Sequence, residues 1–302
     1  MPGQLKEVRD RIVSVKSTQQ ITKAMKLVAA SKLRKAQDRI IQMRPYSAKL
    51  YDMLRNIMAG SEGNLSSGYG AARPIQNVLI VVVSSDRGLC GGFNANMVKL
   101  VKATIEQKYK QQYEAGKITI LPIGKKAYDA LRKDNTLHFI NKHVDLFTRL
   151  SFEEAMEASG QIMKEFADKK YDVVEVAYNQ FKNQITQIPT AEQFLPIEKL
   201  EPATTNSNSE SANTKRPDFI FLPNQADITD ELVPKILKTR FYRFLLDSNA
   251  SEHGARMTSM DNATNNAEDL LKTLGIQYNR ARQAAITTEL TEIVSGAAAL
   301  QG

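Results

Sequence analysis

The 302-residue chain contains no tryptophan and a single cysteine, Cys90. One cysteine forms neither an internal disulfide nor a cysteine cluster for zinc, which favours a reducing compartment. No stretch approaches about 18 uncharged apolar residues, so no membrane span is predicted. The amino-terminal sequence MPGQLKEVRDRIVSVK carries charges of both signs and no apolar core, unlike a secretory or transit peptide.

The charge is distributed unevenly along the chain. The formal net charge is +8, and residues 1–59 alone hold 13 Lys and Arg against 4 Asp and Glu. Residues 225–302 hold 8 basic residues against 10 acidic ones. The basic excess therefore belongs to the amino-terminal segment, and it allows an acidic partner such as nucleic acid, an anionic membrane surface or an acidic protein face.

The amino-terminal segment, residues 1–59, has no glycine after Gly3 and no proline between Gly3 and its end except Pro45. Its apolar residues recur in steps of three and four, which predicts one long helix of roughly 80 Å with a single apolar stripe. Pro45 is expected to bend or interrupt this helix. The predicted stripe consists of Leu5, Val8, Ile12, Val15, Ile21, Met25, Val28, Leu33, Ala36, Ile40 and Met43.

The carboxy-terminal segment, residues 225–302, is predicted to be a second long helix, of which about seventy residues would span about 105 Å. Its seam alternates steps of three and four, as in a coiled coil. Since neither long helix can bury its stripe alone, we expect the two to pair as an antiparallel coiled coil. The predicted seam of this helix consists of Met260, Ala263, Ala267, Leu270, Leu274, Gln277, Ala281 and Ala284.

The middle of the chain follows a different pattern. After a glycine-rich linker at residues 60–74, strand-like and helix-like stretches alternate over residues 75–224, which predicts a Rossmann-like α/β domain with a largely parallel sheet. The last two predicted strands, in QITQIPTAEQFLPI and DFIFLP, have no helix between them, so an antiparallel edge is expected. The polar segment 203–215 between them is predicted to be a mobile loop.

The sequence VLIVVVSSDRGLCGGFN, residues 78–94, raises the question of a nucleotide site. An apolar strand leads through three glycines into a helix, as in many phosphate-binding loops. However, the segment has neither the G-x-x-x-x-G-K-[ST] pattern nor a spaced G-x-G-x-x-G pattern. The alternative is a structural turn in which Asp86 or Ser85 hydrogen-bonds the backbone and glycines supply conformational freedom. The glycines concerned are Gly88, Gly91 and Gly92.

Three segments of the chain resemble a known family. STQQITKAMKLVAASKLRKAQDRI looks like the amino-terminal signature of the gamma subunit of F-type ATP synthase, and SSDRGLCGGFN is similar to the central motif of that family. ASEHGARMTSMDNATNNAEDLL and YNRARQAAITTELTEIVSGAAAL look like its carboxy-terminal signature. The order and spacing match, so the resemblance covers essentially the whole chain.

The resemblance implies a non-catalytic rotor that couples ion-driven rotation of a c ring to ATP synthesis or hydrolysis. The implied partners are three alpha subunits, three beta subunits, an epsilon subunit and the c ring, with no cofactor, metal or nucleic acid. The implied location is the cytoplasmic face of a bacterial inner membrane, to which the chain is peripheral. The dithiol switch of chloroplast relatives is excluded, because Cys90 has no second cysteine to pair with.

The resemblance also implies which residues contact the beta subunit. For Arg282, Gln283, Thr287 and Glu292 the alternative is packing within the coiled coil. For the amino-terminal basic residues the alternative is a solvated helix face. The implied contact residues are Met25, Lys26, Arg256, Arg282, Gln283, Thr287 and Glu292.

Two other functions remain open from the sequence alone. A basic coiled-coil protein that binds nucleic acid would lose affinity steeply with salt. An α/β nucleotide enzyme with helical arms would bind nucleotide and depend on Asp86 or Gly91.

Overall fold

In sequence order, a long helix comes first, a five-stranded sheet with shorter helices follows, and a second long helix comes last. The computed structural model describes residues 2–60, 68–70, 73–148, 150–197 and 225–301. The helices and strands, in chain order, are α1 (Pro2–Gly60), β1 (Val78–Val83), α2 (Phe93–Lys108), α3 (Lys110–Glu114), β2 (Ile118–Ile123), α4 (Lys125–Leu131), β3 (His138–Phe139), a 3-10 turn (Val144–Phe147), α5 (Phe152–Ala167), β4 (Val173–Phe181), β5 (Gln187–Leu195) and α6 (Gln225–Gln301).

The residues form two compact units. We call residues 32–255 the α/β unit, and residues 1–31 with 256–302 the coiled-coil unit. Helix α1 continues through Pro45 without a break, so the expected interruption there is not seen. The predicted loop 203–215 and the predicted strand DFIFLP lie outside the described residues.

The sheet of the α/β unit has the order β3-β2-β1-β4-β5. Strands β1 to β4 are parallel, and β5 runs antiparallel to β4. The order 3-2-1-4 is that of a Rossmann-type half, so the predicted α/β class is confirmed. An antiparallel edge is present and is formed by β5 with β4, whereas the second strand predicted for that edge, DFIFLP, lies outside the described residues.

Strand β1 lies at the centre because helices cover both of its faces. Val78, Ile80 and Val82 pack towards α2 and α4. The alternate residues of β1 pack towards α5 and the first half of α6. A strand covered on both faces is an uninterrupted apolar run, and all six residues of VLIVVV are buried.

The end of the predicted linker is anchored to the α/β unit. The carbonyl of Tyr69 accepts a 2.9 Å hydrogen bond from the amide of Ile197. The guanidinium of Arg73 donates to the carbonyl of Phe166 at 3.1 Å and stacks over its ring. These two contacts join the end of the predicted linker to the α/β unit.

The coiled-coil unit pairs α1 with α6 in antiparallel orientation. The hydroxyls of Thr22 and Thr264 are 2.8 Å apart, and the ammonium of Lys26 lies 2.5 Å from a carboxylate oxygen of Asp261. As the residue number rises from Thr22 to Lys26 on α1, the number of the partner on α6 falls from Thr264 to Asp261, so the two helices are antiparallel. By this pairing Pro2, where α1 begins, lies across from about residue 284. The last turns of α6 therefore extend beyond α1.

The seam on α1 differs from the predicted stripe by one residue in its middle part. The prediction placed Ile21 and Val28 in the seam, but their side chains are 60% and 57% exposed. Thr22 and Ala29 are buried in their place. The observed seam of α1 in this unit consists of Leu5, Val8, Ile12, Val15, Gln19, Thr22, Lys26 and Ala29, in steps that alternate between three and four.

The seam on α6 also differs from the prediction at three positions: Leu270, Gln277 and Ala284 are exposed, whereas Ala263 is half-buried. Met260, Ala267 and Leu274 are buried as predicted. The less exposed side chains between and beyond these three are those of Thr264, Leu271, Tyr278, Ala281, Ala285 and Thr288. Both alternatives keep the spacing of three and four, so the spacing alone did not distinguish them.

Candidate functional site

The glycine turn between β1 and α2 lies at the point where a Rossmann-type fold binds its ligand. Strand order reverses between β1 and β4, so the carboxyl ends of these strands flank a crevice. The turn follows Val83 directly and ends where α2 begins at Phe93. The position of the glycine turn is therefore compatible with a nucleotide site. The contacts within the turn distinguish a nucleotide site from a structural turn.

Asn94 holds the turn together. Its amide nitrogen donates to Ser85 Oγ at 2.7 Å and to Cys90 Sγ at 3.2 Å. Its carbonyl oxygen accepts from the backbone N–H of Ser85 at 3.0 Å. Ser85 Oγ in turn donates to the carbonyl of Arg87 at 2.7 Å. Ser85 was expected to bond the turn, whereas Asn94 was not; its signal in the sequence is an amide side chain in the first turn of the following helix.

Asp86 does not bond the backbone of its own turn. One carboxylate oxygen accepts from the hydroxyl of Thr148 at 2.7 Å, and the other accepts from the amide of Lys125 at 3.3 Å. These partners belong to two other loops at the same edge of the sheet. Asp86 therefore connects three loops.

The three glycines of the motif have different conformations. Gly91 has φ = 57°, in the left-handed region. Gly92 has φ = −78°, and Gly88 also lies outside the left-handed range. Among the three, Gly91 alone uses the left-handed freedom of glycine, and Leu89 takes a second left-handed position with φ = 65°.

A glycine outside the motif has the tightest surroundings. Gly124, at the end of β2, has φ = 99°, and a Cβ there would lie 2.1 Å from the carbonyl oxygen of Ser84. Ser84 Oγ donates to the carbonyl of Gly124 at 3.1 Å and accepts from the amide of Ala127 at 3.0 Å. This close approach joins β1 to the start of α4. The sequence analysis did not single out Gly124, because its constraint comes from a residue 40 positions away.

The crevice beside the turn is occupied by α6. Ala255 packs in one buried cluster with Cys90 and Phe93. Ser251 Oγ donates to the carbonyl of Asn179, near the end of β4, at 3.0 Å. A side chain of the protein itself thus fills the place of a ligand. The contacts favour the structural turn over the nucleotide site.

The lone thiol is part of this packing. Cys90 is 1% exposed and hydrogen-bonded by Asn94. Among the residues that the structure describes, no cluster of three His, Cys, Asp or Glu side chains is placed to hold a metal ion. Within the same residues, no helix combines the length and the apolar character needed to cross a bilayer.

The predicted beta-contact residues fall into two groups in the coiled-coil unit. Met25, Lys26 and Arg256 are half-buried, and Lys26 is bonded to Asp261. The other four side chains are exposed on the last part of α6: Arg282, Gln283, Thr287 and Glu292. Thr287 donates from its hydroxyl to the carbonyl of Gln283 at 2.9 Å, a contact within the helix.

The end of α6 also exposes large apolar side chains. Leu290, Ile293 and Val294 are 58%, 67% and 67% exposed. Residues 291–297 are exposed on every side of the helix. A helix that extends beyond its partner and carries exposed apolar residues marks an interaction surface for other chains.

Comparison with known proteins identifies the family. A family model described as ATP synthase matches residues 4–300. The ATP synthase gamma chain of Cytophaga hutchinsonii is 51% identical over 300 residues, which cover 99% of each chain. That of Christiangramia forsetii is 49% identical over 298 residues, again 99% of each chain. The chain belongs to the ATP synthase gamma-chain family. It is therefore a non-catalytic central-stalk subunit of the rotor of an F-type ATP synthase, whose catalytic sites lie in the beta subunits.

Solved structures share the fold. A chain from the Euglena gracilis mitochondrial ATP synthase, in its OSCP/F1/c-ring structure, gives a TM-score of 0.66 at 21% identity, over 99% of this chain and 95% of that one. A chain from the Tetrahymena thermophila mitochondrial ATP synthase central stalk and c ring gives 0.55 at 22% identity, over 80% and 99%. These likenesses support the fold of two long helices with an α/β domain.

Proposed function

We propose that the chain rotates inside a hexamer of three alpha and three beta subunits and couples this rotation to ion flow through a c ring. The observation that supports the proposal is the end of α6, which extends beyond α1 with exposed apolar residues. A stable monomer rarely leaves such a surface open, and a sleeve of surrounding subunits would cover it.

The coiled-coil unit has the mechanical properties that this role requires. Two helices in a shared seam resist bending better than one, because bending must disturb packing along the whole seam. A rotating shaft also has to avoid a fixed apolar interface at every angle. The final turns are rich in small residues, in the sequence SGAAAL, which suits a smooth bearing surface.

We assign the contacts with beta to two levels of the shaft. The lower level consists of Met25, Arg256 and Lys26, whose side chain remains partly exposed beside Asp261. Polar contacts on an exposed face remain wet and can be exchanged as the shaft turns, whereas buried apolar contacts would hold it in place. The upper level consists of the exposed side chains of Arg282, Gln283, Thr287 and Glu292.

The remaining assignments concern the base of the rotor. We propose that the α/β unit meets an epsilon subunit and the c ring, and that the chain is peripheral to the cytoplasmic face of a bacterial inner membrane. The curated relatives that match at about half identity are bacterial. The coupling reaction itself would involve no cofactor and no metal held by this chain.

Native mass spectrometry of the tagged chain, purified from gently solubilised membranes, tests the partners. We expect one copy of this chain with three alpha, three beta and one epsilon subunit, and with the c ring when the detergent preserves it. A chain that arrives alone, or with bound nucleotide or nucleic acid, would contradict the proposal. In that case Asp86 and Asn94, in the glycine turn, become the next residues to vary.

A further inference from the structure

The middle of the coiled-coil seam is unexpectedly polar. Where α1 crosses the region of Met260 to Ala267, its seam residues are Gln19, Thr22 and Lys26. Larger apolar side chains are available one position away, at Ile21 and Val28, but they point outwards. Burial of apolar area alone would therefore favour a different rotation of α1, by one residue or about 100° about its axis.

Two polar contacts cross between the helices at this point. The ion pair of Lys26 with Asp261 is partly shielded from water, with 33% and 44% of the side chains exposed. The hydroxyls of Thr22 and Thr264 are 2.8 Å apart. The two contacts are four residues apart on α1 and three apart on α6, which is about one helical turn.

The threonine contact is fully satisfied in this arrangement. Thr22 Oγ1 lies 3.0 Å from the carbonyl of Gln19, and Thr264 Oγ1 lies 2.7 Å from the carbonyl of Met260. Whichever hydroxyl donates across the seam, the other can donate to its own helix. If α1 turned by one residue, both hydroxyls would lose this contact, and the charges of Lys26 and Asp261 would be separated.

A polar pair inside a coiled coil fixes register at some cost in stability. We propose that Thr22–Thr264 and Lys26–Asp261 act together as a register lock, which sets the rotation and the axial position of α1 against α6. The lock excludes the competing apolar seam and holds Ile21 and Val28 on the outer surface, beside Met25. Its contribution to coupling rests on the proposed function, whereas its effect on register does not.

Electron–electron distance measurements on the assembled complex test the lock. Spin labels attach at Gln20→Cys on α1 and Asn265→Cys on α6, both of which are exposed, while Cys90 is buried and stays unlabelled. We expect one narrow distance distribution in the parent. The apolar variant carries Thr22→Val, Lys26→Met, Asp261→Leu and Thr264→Val. Helix α1 then has two apolar stripes that can face α6, one through residues 22 and 26 and one through Ile21 and Val28. We expect a second or broadened distance distribution and a melting temperature no lower than that of the parent.

A charge exchange provides a second test that does not depend on the apolar variant. Asp261→Lys alone places two ammonium groups together and should broaden the distribution, and adding Lys26→Glu should restore the narrow one. The control Lys272→Met with Asp269→Leu removes an exposed ion pair within α6, where Nζ and Oδ1 are 3.2 Å apart, and should leave the distribution unchanged. A single narrow distribution in Asp261→Lys and in the apolar variant would overturn the lock.

The protons pumped for each ATP hydrolysed, measured in vesicles, separate the lock from the proposed function. We expect this ratio to fall in Asp261→Lys. The added Lys26→Glu is assessed by distance alone, because Lys26 is also assigned to the contact with beta. If Asp261→Lys changes the distance distribution but not the number of protons pumped per ATP, the lock sets only the helix register. Its proposed contribution to coupling would then be wrong. A parent complex whose pumping does not depend on this chain would instead refute the proposed function, whatever the distances.

Discussion

Ala255 of α6 packs against Phe93, the first residue of α2, inside the crevice where a Rossmann-type fold holds its ligand. The glycine motif is thus explained by packing within the protein. Its turn is held by Asn94, and its open side is closed by a helix that comes from the other end of the chain. A fold that elsewhere binds nucleotides here binds a segment of itself.

A larger side chain in the crevice should destabilise the α/β unit. Ala255→Leu adds three carbons at a buried site against Cys90 and Phe93, and overpacking of this kind costs about 1–3 kcal/mol. The measurement is thermal unfolding of the full chain with its assembly partners present. Ala167→Leu, at an exposed position at the end of α5, is the control and should leave the midpoint nearly unchanged. Equal midpoints for both variants would mean that the crevice is open enough to hold a ligand.

Gly124→Ala should be among the most damaging single changes in the α/β unit. The added Cβ would lie 2.1 Å from the backbone oxygen of Ser84, so the chain has to move apart where β2 ends beside β1. Gly116→Ala is the matched control, because its φ of 67° is also left-handed but its Cβ would meet nothing within 4 Å. We expect about 1 kcal/mol of loss for the control and clearly more for Gly124→Ala in urea unfolding. Similar losses would show that the close approach is not a constraint.

The double variant Arg282→Ala, Gln283→Ala should weaken coupling more than folding. Both side chains are exposed on α6, so their removal leaves no buried group unpaired. We expect normal assembly and a reduced rate of ATP synthesis in energised vesicles. Lys272→Ala, also exposed on α6, should synthesise ATP at the parent rate. Parent-level synthesis by the double variant would remove these two residues from the proposed contact with beta.

Alkaline pH should destabilise the fold through two buried tyrosines. Burial, together with the neighbouring carboxylate of Glu175, raises the pKa of Tyr109 above its ordinary value, and burial with Glu192 raises the pKa of Tyr178. The unfolded chain releases these protons near pH 10, before the folded one does, so this stability is complete below pH 10 and is lost above it. The slope is at most about 1.4 kcal/mol per pH unit for each tyrosine.

The variant Tyr109→Phe, Tyr178→Phe tests this dependence. Glu175 keeps its 2.8 Å contact with Lys108, and Glu192 keeps its 3.2 Å contact with Arg240, so both carboxylates retain a partner. Between pH 10 and pH 11, about one unit above the ordinary tyrosine pKa, the melting temperature of the variant should fall less than that of the parent. Parallel curves would show that neither phenol is held neutral by the fold.

The sequence predicted those elements whose pattern has one interpretation. Helix α5 begins at Phe152 because Ser151 caps its first turn by accepting from the amide of Glu154, a signal that is visible in the sequence. The central strand was equally clear from its uninterrupted apolar run. Local signals of this kind do not depend on what packs against them.

The coiled-coil seam could not be predicted from one sequence in the same way. Stripes through Ile21 and through Thr22 both keep heptad spacing, and the apolar one is more attractive by burial. The choice depends on Asp261 and Thr264, more than 230 residues further along the chain. Gly124 was missed for the same reason, since its constraint comes from Ser84, 40 residues earlier in the chain. Asn94 was missed although its partners Ser85 and Cys90 are near in sequence.

The most direct test of the rotor is to watch this chain turn. A probe attached at Lys133→Cys, in an exposed turn after α4, reports on the α/β unit, and Cys90 is too buried to compete for the label. With the beta subunits fixed to a surface and MgATP supplied, we expect the probe to rotate continuously in one direction and to stop when ATP is removed. A probe that stays fixed relative to the beta subunits, in a complex that hydrolyses ATP, would contradict the account.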